Sequence, residues 1–154
     1  MTPLRVHLAQ VNVARMRASL TDPLMAGFVA GLEPVNALAD GSPGFVWRLK
    51  DEESGNATGQ HPFGDDMILI NLSVWESPES VQHFVYHTLH QEFLKNRRDW
   101  FERLAEAWAA LWWVPAGHRP DVAEARERLE HLRAHGDTAH AFSFRNLFPV
   151  PPVD

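Results

Sequence analysis

Residues Met67 to Trp75, MILINLSVW, alternate in a way that suits a strand with two unlike faces. Strand side chains point to opposite sides with period two, so Ile68, Ile70, Leu72 and Val74 share one side. Met67, Leu69, Asn71, Ser73 and Trp75 share the other. The first side is purely aliphatic and calls for a dry core. The second carries an amide, a hydroxyl and an indole, which suits a pocket with a few placed polar groups. Ser77-Pro78 follows as a helix start, with Ser as N-cap and Pro at the first helical position. That helix carries His83, Tyr86, His87 and His90.

The flanking chain supplies the partners such a strand needs. Val6 to Val13 alternates His7, Ala9, Val11 and Val13 against Val6, Leu8, Gln10 and Asn12, a first strand. Thr21-Asp22-Pro23 starts a helix bearing Leu24, Met25, Phe28, Leu32, Val35 and Leu38, and Pro34 is expected to kink it or end its regular part near Leu32. Phe45 to Leu49 reads as a second strand, and the polar loop Asp51 to Gly64 joins it to the Met67–Trp75 strand like a hairpin. After the His-bearing helix the helical pattern continues, or restarts, through Asp99-Trp100-Phe101 to Ala107. Ala109 to Val114, AALWWV, is a fourth strand with two adjacent indoles on opposite faces. Asp121 to His135 is a helix with Val122, Ala125, Leu129 and Leu132 in one stripe and Gly136 as its cap.

The order β-α-β-β-α-β plus a terminal helix predicts an α+β, ferredoxin-like fold. One domain spans residues 1–154, with a core over about 6–135 and an extended arm over 137–154. Helices would cover one face of the sheet. In that count no helix remains for the aliphatic face, whose exposure costs roughly 25 cal/mol per Å². A second copy closing over it predicts a homodimer joined through its sheet faces, a dimeric α/β barrel.

Composition narrows the partners. A net charge of −6 argues against nucleic acid and anionic membranes, which favour a basic surface. Cysteine is absent, so disulfides, iron–sulfur clusters, thiolate zinc sites and Cys nucleophiles are excluded. There is no signal-type apolar segment at the start and no run of membrane-spanning length, so a cytoplasmic location is expected. No phosphate-cradling glycine loop, dinucleotide fingerprint or serine elbow is present. Six Trp and nine Phe against one Tyr are a heavy apolar aromatic load, some of it available to line a pocket or an interface.

Four polar side chains form the first constellation. In a split βαβ sheet the strands of Gln10 and Asn12 and of Asn71 and Ser73 are central neighbours, so their amides would gather under the helices and bond a carbonyl or oxyanion. The plainer alternative has Asn71 satisfying a buried backbone group and Trp75 serving as core. His83, His87 and His90 lie at i, i+4 and i+7 on one side of their helix, and an i, i+4 pair can chelate zinc with Glu79 or Glu92. No HExxH motif is present, a solvated His83 and His87 is the plainer reading, and no metal site is assigned. Tyr86 and His90 stack four residues apart as acid–base equipment or as a structural contact. Arg97 is placed to bind an anionic ligand group, with a surface ion pair to Glu or Asp as the commoner alternative. Trp112 or Trp113 must face the helices. Trp112 is assigned to the ligand, in an aromatic slot with Trp47, Trp75 and Trp100, and plain core is the alternative favoured for most of these indoles.

The segments HLAQVNVAR, GFVWRL, NLSVWES, FVYHTLH, the Trp100-Phe101 pair and LWWVPAGHRP carry a family resemblance. Together the chain resembles dimeric α/β-barrel proteins, in particular an uncharacterised family known only as a domain of unknown function. Better-known relatives are the antibiotic-biosynthesis and haem-degrading monooxygenases. The cofactor-independent, quinone-forming members carry an Asn on the third strand and a Trp four residues later, a spacing that Asn71 and Trp75 share. Haem-degrading members use an Asn on the first strand and a His on the second helix, roles that the resemblance offers to Asn12 and to one of His83, His87 or His90. It therefore implies a small-molecule enzyme of monooxygenase type acting on an aromatic or polyketide-type substrate. In it Asn71 holds an oxyanion, Trp75 stacks on substrate, His90 with Tyr86 moves a proton, and Gln10, Asn12, Ser73, Arg97 and Trp112 bind. No cofactor is required in that case. The alternatives are a haem-binding or haem-degrading protein, with His87 or His90 as the ligand, and a non-catalytic module holding a small apolar ligand.

Overall fold

Alternation in the first strand extends further than the sequence pattern alone suggests. The computed structural model describes residues 6–50, 64–65, 67–87 and 97–150, apart from the side chains of 85–87. In it strand β1 (Val6–Met16) is the spine of an antiparallel sheet. On one edge β1 pairs with β3 (Ile68–Trp75), and β2 (Phe45–Arg48) adds outside β3 with a bulge between Phe45 and Trp47. On the other edge Val6 to Asn12 pair with β5 (Ala109–Pro115), while Arg15 and Met16 pair with the two-residue β4 (Phe101–Glu102). The order β2-β3-β1, with β5 completing the other edge, is ferredoxin-like and α+β.

Helix starts follow their capping residues. The Asp22 carboxylate accepts from the Leu24 N–H at 2.9 Å, and Pro23 opens a short 3₁₀ turn, Pro23–Met25. The helix α1 (Ala26–Asp40) then runs past Pro34 without ending near Leu32. Proline removes the bond to the carbonyl of Ala30, but Ala30 and Pro34 are both exposed, so water can take its place. α2 (Pro78–His87) follows β3. α3 (Arg97–Trp100) is short, and the expected helix through Ala107 does not form. β5 stops opposite Asn12, which leaves the outer edge of β1 from Val13 onward in need of partners. Residues 100–108 supply them: Trp108 O accepts from Val13 N and Trp100 O from Arg17 N, each at 2.8 Å.

α4 (Val122–His135) corrects the count of covering helices. The Asp121 side chain accepts from the Glu124 N–H at 2.8 Å, and Gly136, at φ 74°, closes the helix with its N–H on Leu132 O. Ala125, Leu129 and Leu132 of this helix belong to one cluster with Ile70, Leu72 and Val74. Ile70 is 4% exposed and Leu72 1%, so the chain buries its aliphatic face under its own terminal helix. The premise for closure by a second copy, a face with no helix left to cover it, does not hold.

The opposite face lies under α1 and α2 and is not one continuous core. Leu8, Trp75, Leu111, Val35 and Phe84 form one cluster towards one end. Met16, Leu69, Met25, Phe28 and Trp100 form another towards the other end. The C-terminal arm docks on the first cluster through Phe142, which is fully buried and exchanges both backbone bonds with Leu111 at 2.7 and 2.9 Å. Among the described residues no helix is long and apolar enough to cross a membrane.

Candidate ligand cleft

Between the two apolar clusters, β1 and β3 lay down a polar strip. Their register sets Gln10 opposite Ser73 and Asn12 opposite Asn71, so all four side chains leave the sheet on the same face. Gln10 and Ser73 are buried, Asn12 is half-buried, and Asn71 is exposed although it sits in mid-strand between buried neighbours. An exposed side chain at the middle of an inner strand means that the helices do not close over it. Among the described residues, the strip reaches the surface at Asn71 and is the candidate floor of a ligand cleft.

The hydrogen bonds in the floor run in a defined direction. Gln10 Nε2 donates to Asn71 Oδ1 and to Ser73 Oγ, both at 2.7 Å. Asn12 Nδ2 donates to Gln10 Oε1 at 3.0 Å and to Asn71 Oδ1 at 3.4 Å. Trp75 Nε1 donates to Ser73 Oγ at 2.8 Å. Asn71 Oδ1 therefore faces two N–H donors, and turning its amide over would set N–H against N–H. Its Nδ2 is left as a donor at the exposed end of the network. The floor offers hydrogen to an incoming acceptor atom.

Aromatic rings bound this floor on the Trp75 side. Trp75 is 2% exposed, stacks on Phe84 at 5.4 Å and 29°, and meets Phe45 edge-on at 5.3 Å. On the other side, Trp100 and Phe28 lie 5.7 Å apart. Arg48 was not apparent in the sequence as a cleft residue. The β2 bulge puts it opposite Ser73, and Asp40 at the end of α1 holds its Nε at 2.7 Å and its Nη2 at 3.3 Å. That bulge, invisible to a simple alternation, sets Phe45 and Trp47 on opposite faces, so that Arg48 rather than Trp47 shares the face of Phe45.

The structure therefore brings together Gln10, Asn12, Asn71, Ser73 and Trp75. It places Trp112 elsewhere. Trp112 is opposite Ala9 on the aliphatic face, fully buried, with its Nε1 donating to Glu124 at 2.9 Å and Arg128 over its ring at 5.9 Å. Trp113, opposite Leu8, is the indole on the cleft side, because neighbours along a strand alternate. Trp47 likewise packs with the aliphatic cluster. Arg97 opens α3 and is exposed, with no bond to the amides among the described residues. The side chains of Tyr86 and His87, and His90 altogether, lie outside the described residues, so the acid–base pair and the haem ligand fall there too. His83 is exposed. Among the described residues no group of three or more His, Asp or Glu is arranged to hold a metal ion.

A sheet of this order, with a polar strip between two apolar clusters on one face, defines an α+β, ferredoxin-like domain. The chain belongs to the family described as Domain of unknown function (DUF3291), which it matches over residues 7–154. No curated protein matches the sequence. A protein of unknown function from Nitrosomonas europaea is similar in structure at 11% identity and TM-score 0.46, over 77% of this chain and 97% of its own. A candidate antibiotic biosynthesis monooxygenase from Chloroflexus aurantiacus J-10-fl is similar at 17% identity and TM-score 0.43, over 75% and 98%. SnoaB, a cofactor-independent oxygenase from Streptomyces nogalater, is similar at 14% identity and TM-score 0.42, over 75% and 96%. At this distance the likenesses carry no argument about chemistry.

Proposed function

We propose that the cleft binds a planar aromatic molecule through an acceptor oxygen, and that the protein is a small-molecule oxygenase of the cofactor-independent kind. The observation that supports this most is Asn71, exposed in mid-sheet with its carbonyl engaged by Gln10 and Asn12 and its Nδ2 left to donate. A fixed donor aimed where charge develops stabilises a phenolate or enolate better than water does, because it needs no reorganisation. Trp75 is buried behind Ser73, with its N–H on Ser73 Oγ and its ring between Phe84 and Phe45, so it fixes the floor beside Asn71 rather than stacking on the ligand itself.

The reaction follows from that arrangement. A phenol losing its proton becomes an electron-rich anion held by Asn71, and this anion can reduce dioxygen directly. One oxygen atom enters the ring carbon and the other leaves as water. Phenol plus O₂ gives quinone plus water, so both oxygen atoms and all four electrons are accounted for without a further reductant. The proton acceptor in this scheme is His90, which the sequence sets four residues after Tyr86.

Oxygen uptake with a panel of polycyclic phenols tests the proposal. One O₂ should be consumed per quinone formed, and Asn71→Ala should lower turnover by about 10²- to 10³-fold, the range for loss of one oxyanion donor. A folded Asn71→Ala protein with full turnover removes Asn71 from the chemistry. A protein that binds such phenols tightly without oxygen uptake is a ligand-binding module instead.

A further inference from the structure

Three imidazoles meet on the far side of the molecule, where the C-terminal arm leaves α4. The rings of His131 and His135 are 4.5 Å apart, and those of His131 and His140 are 4.6 Å apart. His131 and His135 are one turn apart on α4, whereas His140 belongs to the arm. His140 Nε2 lies 2.8 Å from both carboxylate oxygens of Glu127. Arg128 Nη1 donates to His140 O at 2.8 Å and lies 3.1 Å from His140 Nδ1. Because Arg128 can only donate, Nδ1 accepts and Nε2–H donates to Glu127, which is the neutral tautomer. His131 Nδ1 is buried without a partner.

The arm held here continues into the aromatic wall of the cleft. Two residues beyond His140, Phe142 exchanges backbone bonds with Leu111 of β5. Further on, Phe148 O accepts from Trp113 Nε1 at 3.0 Å. Phe142 and Phe148 pack in the same cluster as Trp75. One continuous piece of chain thus joins the imidazoles to the cluster that holds Trp75.

We propose that His131, packed between the rings of His135 and His140, is the proton-operated part of a clasp that holds the arm to α4 while His131 is neutral and releases it when His131 takes up a proton. The charged and titratable groups that face His131 are His140, His135, Glu127 and Arg128, and only Glu127 is an acid. A proton on His131 meets Arg128 nearby, with a single carboxylate, Glu127, to offset it. The affinity of His131 for a proton is lowered, chiefly by burial, then by His140 and His135, and further by Arg128, while Glu127 works in the opposite sense. The unfolded or released chain binds the proton more tightly than the closed form. The clasp's contribution is therefore complete above the ordinary imidazole value of 6.5 and is lost as pH falls below it.

Hydrogen–deuterium exchange of the full chain at pH 7.5 and 5.5, with and without chelator and corrected for intrinsic rates, tests the clasp. Protection of the Leu111 and Phe142 amides should be lost at pH 5.5, while the amides joining β1 and β3 keep theirs. His131→Gln should hold its protection at both pH values. Unchanged protection in the wild type, or the same loss in His131→Gln, overturns the clasp. If His131→Gln does not fold, the wild-type ring resonances of His131 decide: they must titrate together with the loss of protection at Phe142, and titration without that loss overturns it. Protection at pH 7.5 that disappears on adding chelator assigns the cluster to a metal ion and also overturns it.

Discussion

Gln10 reaches across the β1–β3 pair and donates its Nε2 to Asn71 Oδ1 over 2.7 Å. The same nitrogen serves Ser73 Oγ, so one buried amide orients both polar residues of the neighbouring strand. Replacing it with Leu leaves Asn71 Oδ1 with only the 3.4 Å contact to Asn12 and leaves Ser73 one donor short. Gln10→Leu is expected to lower stability by about 1–3 kcal/mol, the cost of an unsatisfied buried group, in urea unfolding. Ligand affinity should fall further than Asn12→Ala makes it fall.

Burial of the aliphatic face under α4 changes what a charge at Ile70 does. Ile70→Asp puts a carboxylate among Leu72, Leu129 and Leu132, where it must be unpaired or protonated. The expected result is loss of several kcal/mol and an unfolded or aggregated chain by circular dichroism, rather than a folded monomer released from a dimer. Light scattering that shows a folded monomer from a dimeric wild type contradicts this and restores the sheet-to-sheet interface.

Gly44 joins the turn before β2 to the start of α2. It sits at φ 82°, and a Cβ there would run into the Ser80 side chain. Its carbonyl accepts from Glu76 N at 2.7 Å, so the backbone cannot simply back away. Gly44→Ala should cost about 1–2 kcal/mol for the left-handed backbone alone, and more for the contact, read as a lower urea midpoint. Gly44→Ala with Ser80→Gly should recover the second part only.

Asp137 locks the arm at a second pH. The Asn146 amide donates to it at 2.8 Å and the Ser143 N–H at 2.6 Å, and these bonds hold its carboxyl below the ordinary value of 3.8 in spite of partial burial. A carboxylate lowered in the folded state stabilises above its unfolded value, and this is lost as pH falls through the folded one. Asp137→Asn should therefore melt lower than wild type at pH 7, with the gap closing below about pH 4. A gap that is constant from pH 7 to pH 3 would show that the charge is not what matters.

Much of the cleft floor was legible from alternation alone. Asn71, Ser73 and Trp75 are spaced by two, as are Gln10 and Asn12, and strand geometry then fixes which side chains share a face. The choice between Trp112 and Trp113 was not legible, because it depends on the long-range register that sets Ala9 opposite Trp112. The stripe Val122, Ala125, Leu129 and Leu132 showed that α4 has an apolar side, yet where it docks is a tertiary matter. Around Phe101 the helical spacing gave way to the unpaired edge of β1, whose backbone groups need partners more than the local pattern needs a helix. Pro34 shows the reverse limit: a helix breaker tolerated because its lost bond faces water.

The direction of the Asn71 amide is the point on which the proposed function turns, and side-chain NMR observes it directly. During titration with a polycyclic phenol, the Asn71 NH₂ resonances should move downfield as Nδ2 bonds the phenol oxygen. The Trp112 indole N–H, held by Glu124 on the other side of the sheet, should stay where it is. A ligand that shifts Trp112 and leaves the Asn71 amide unmoved binds elsewhere and contradicts the cleft.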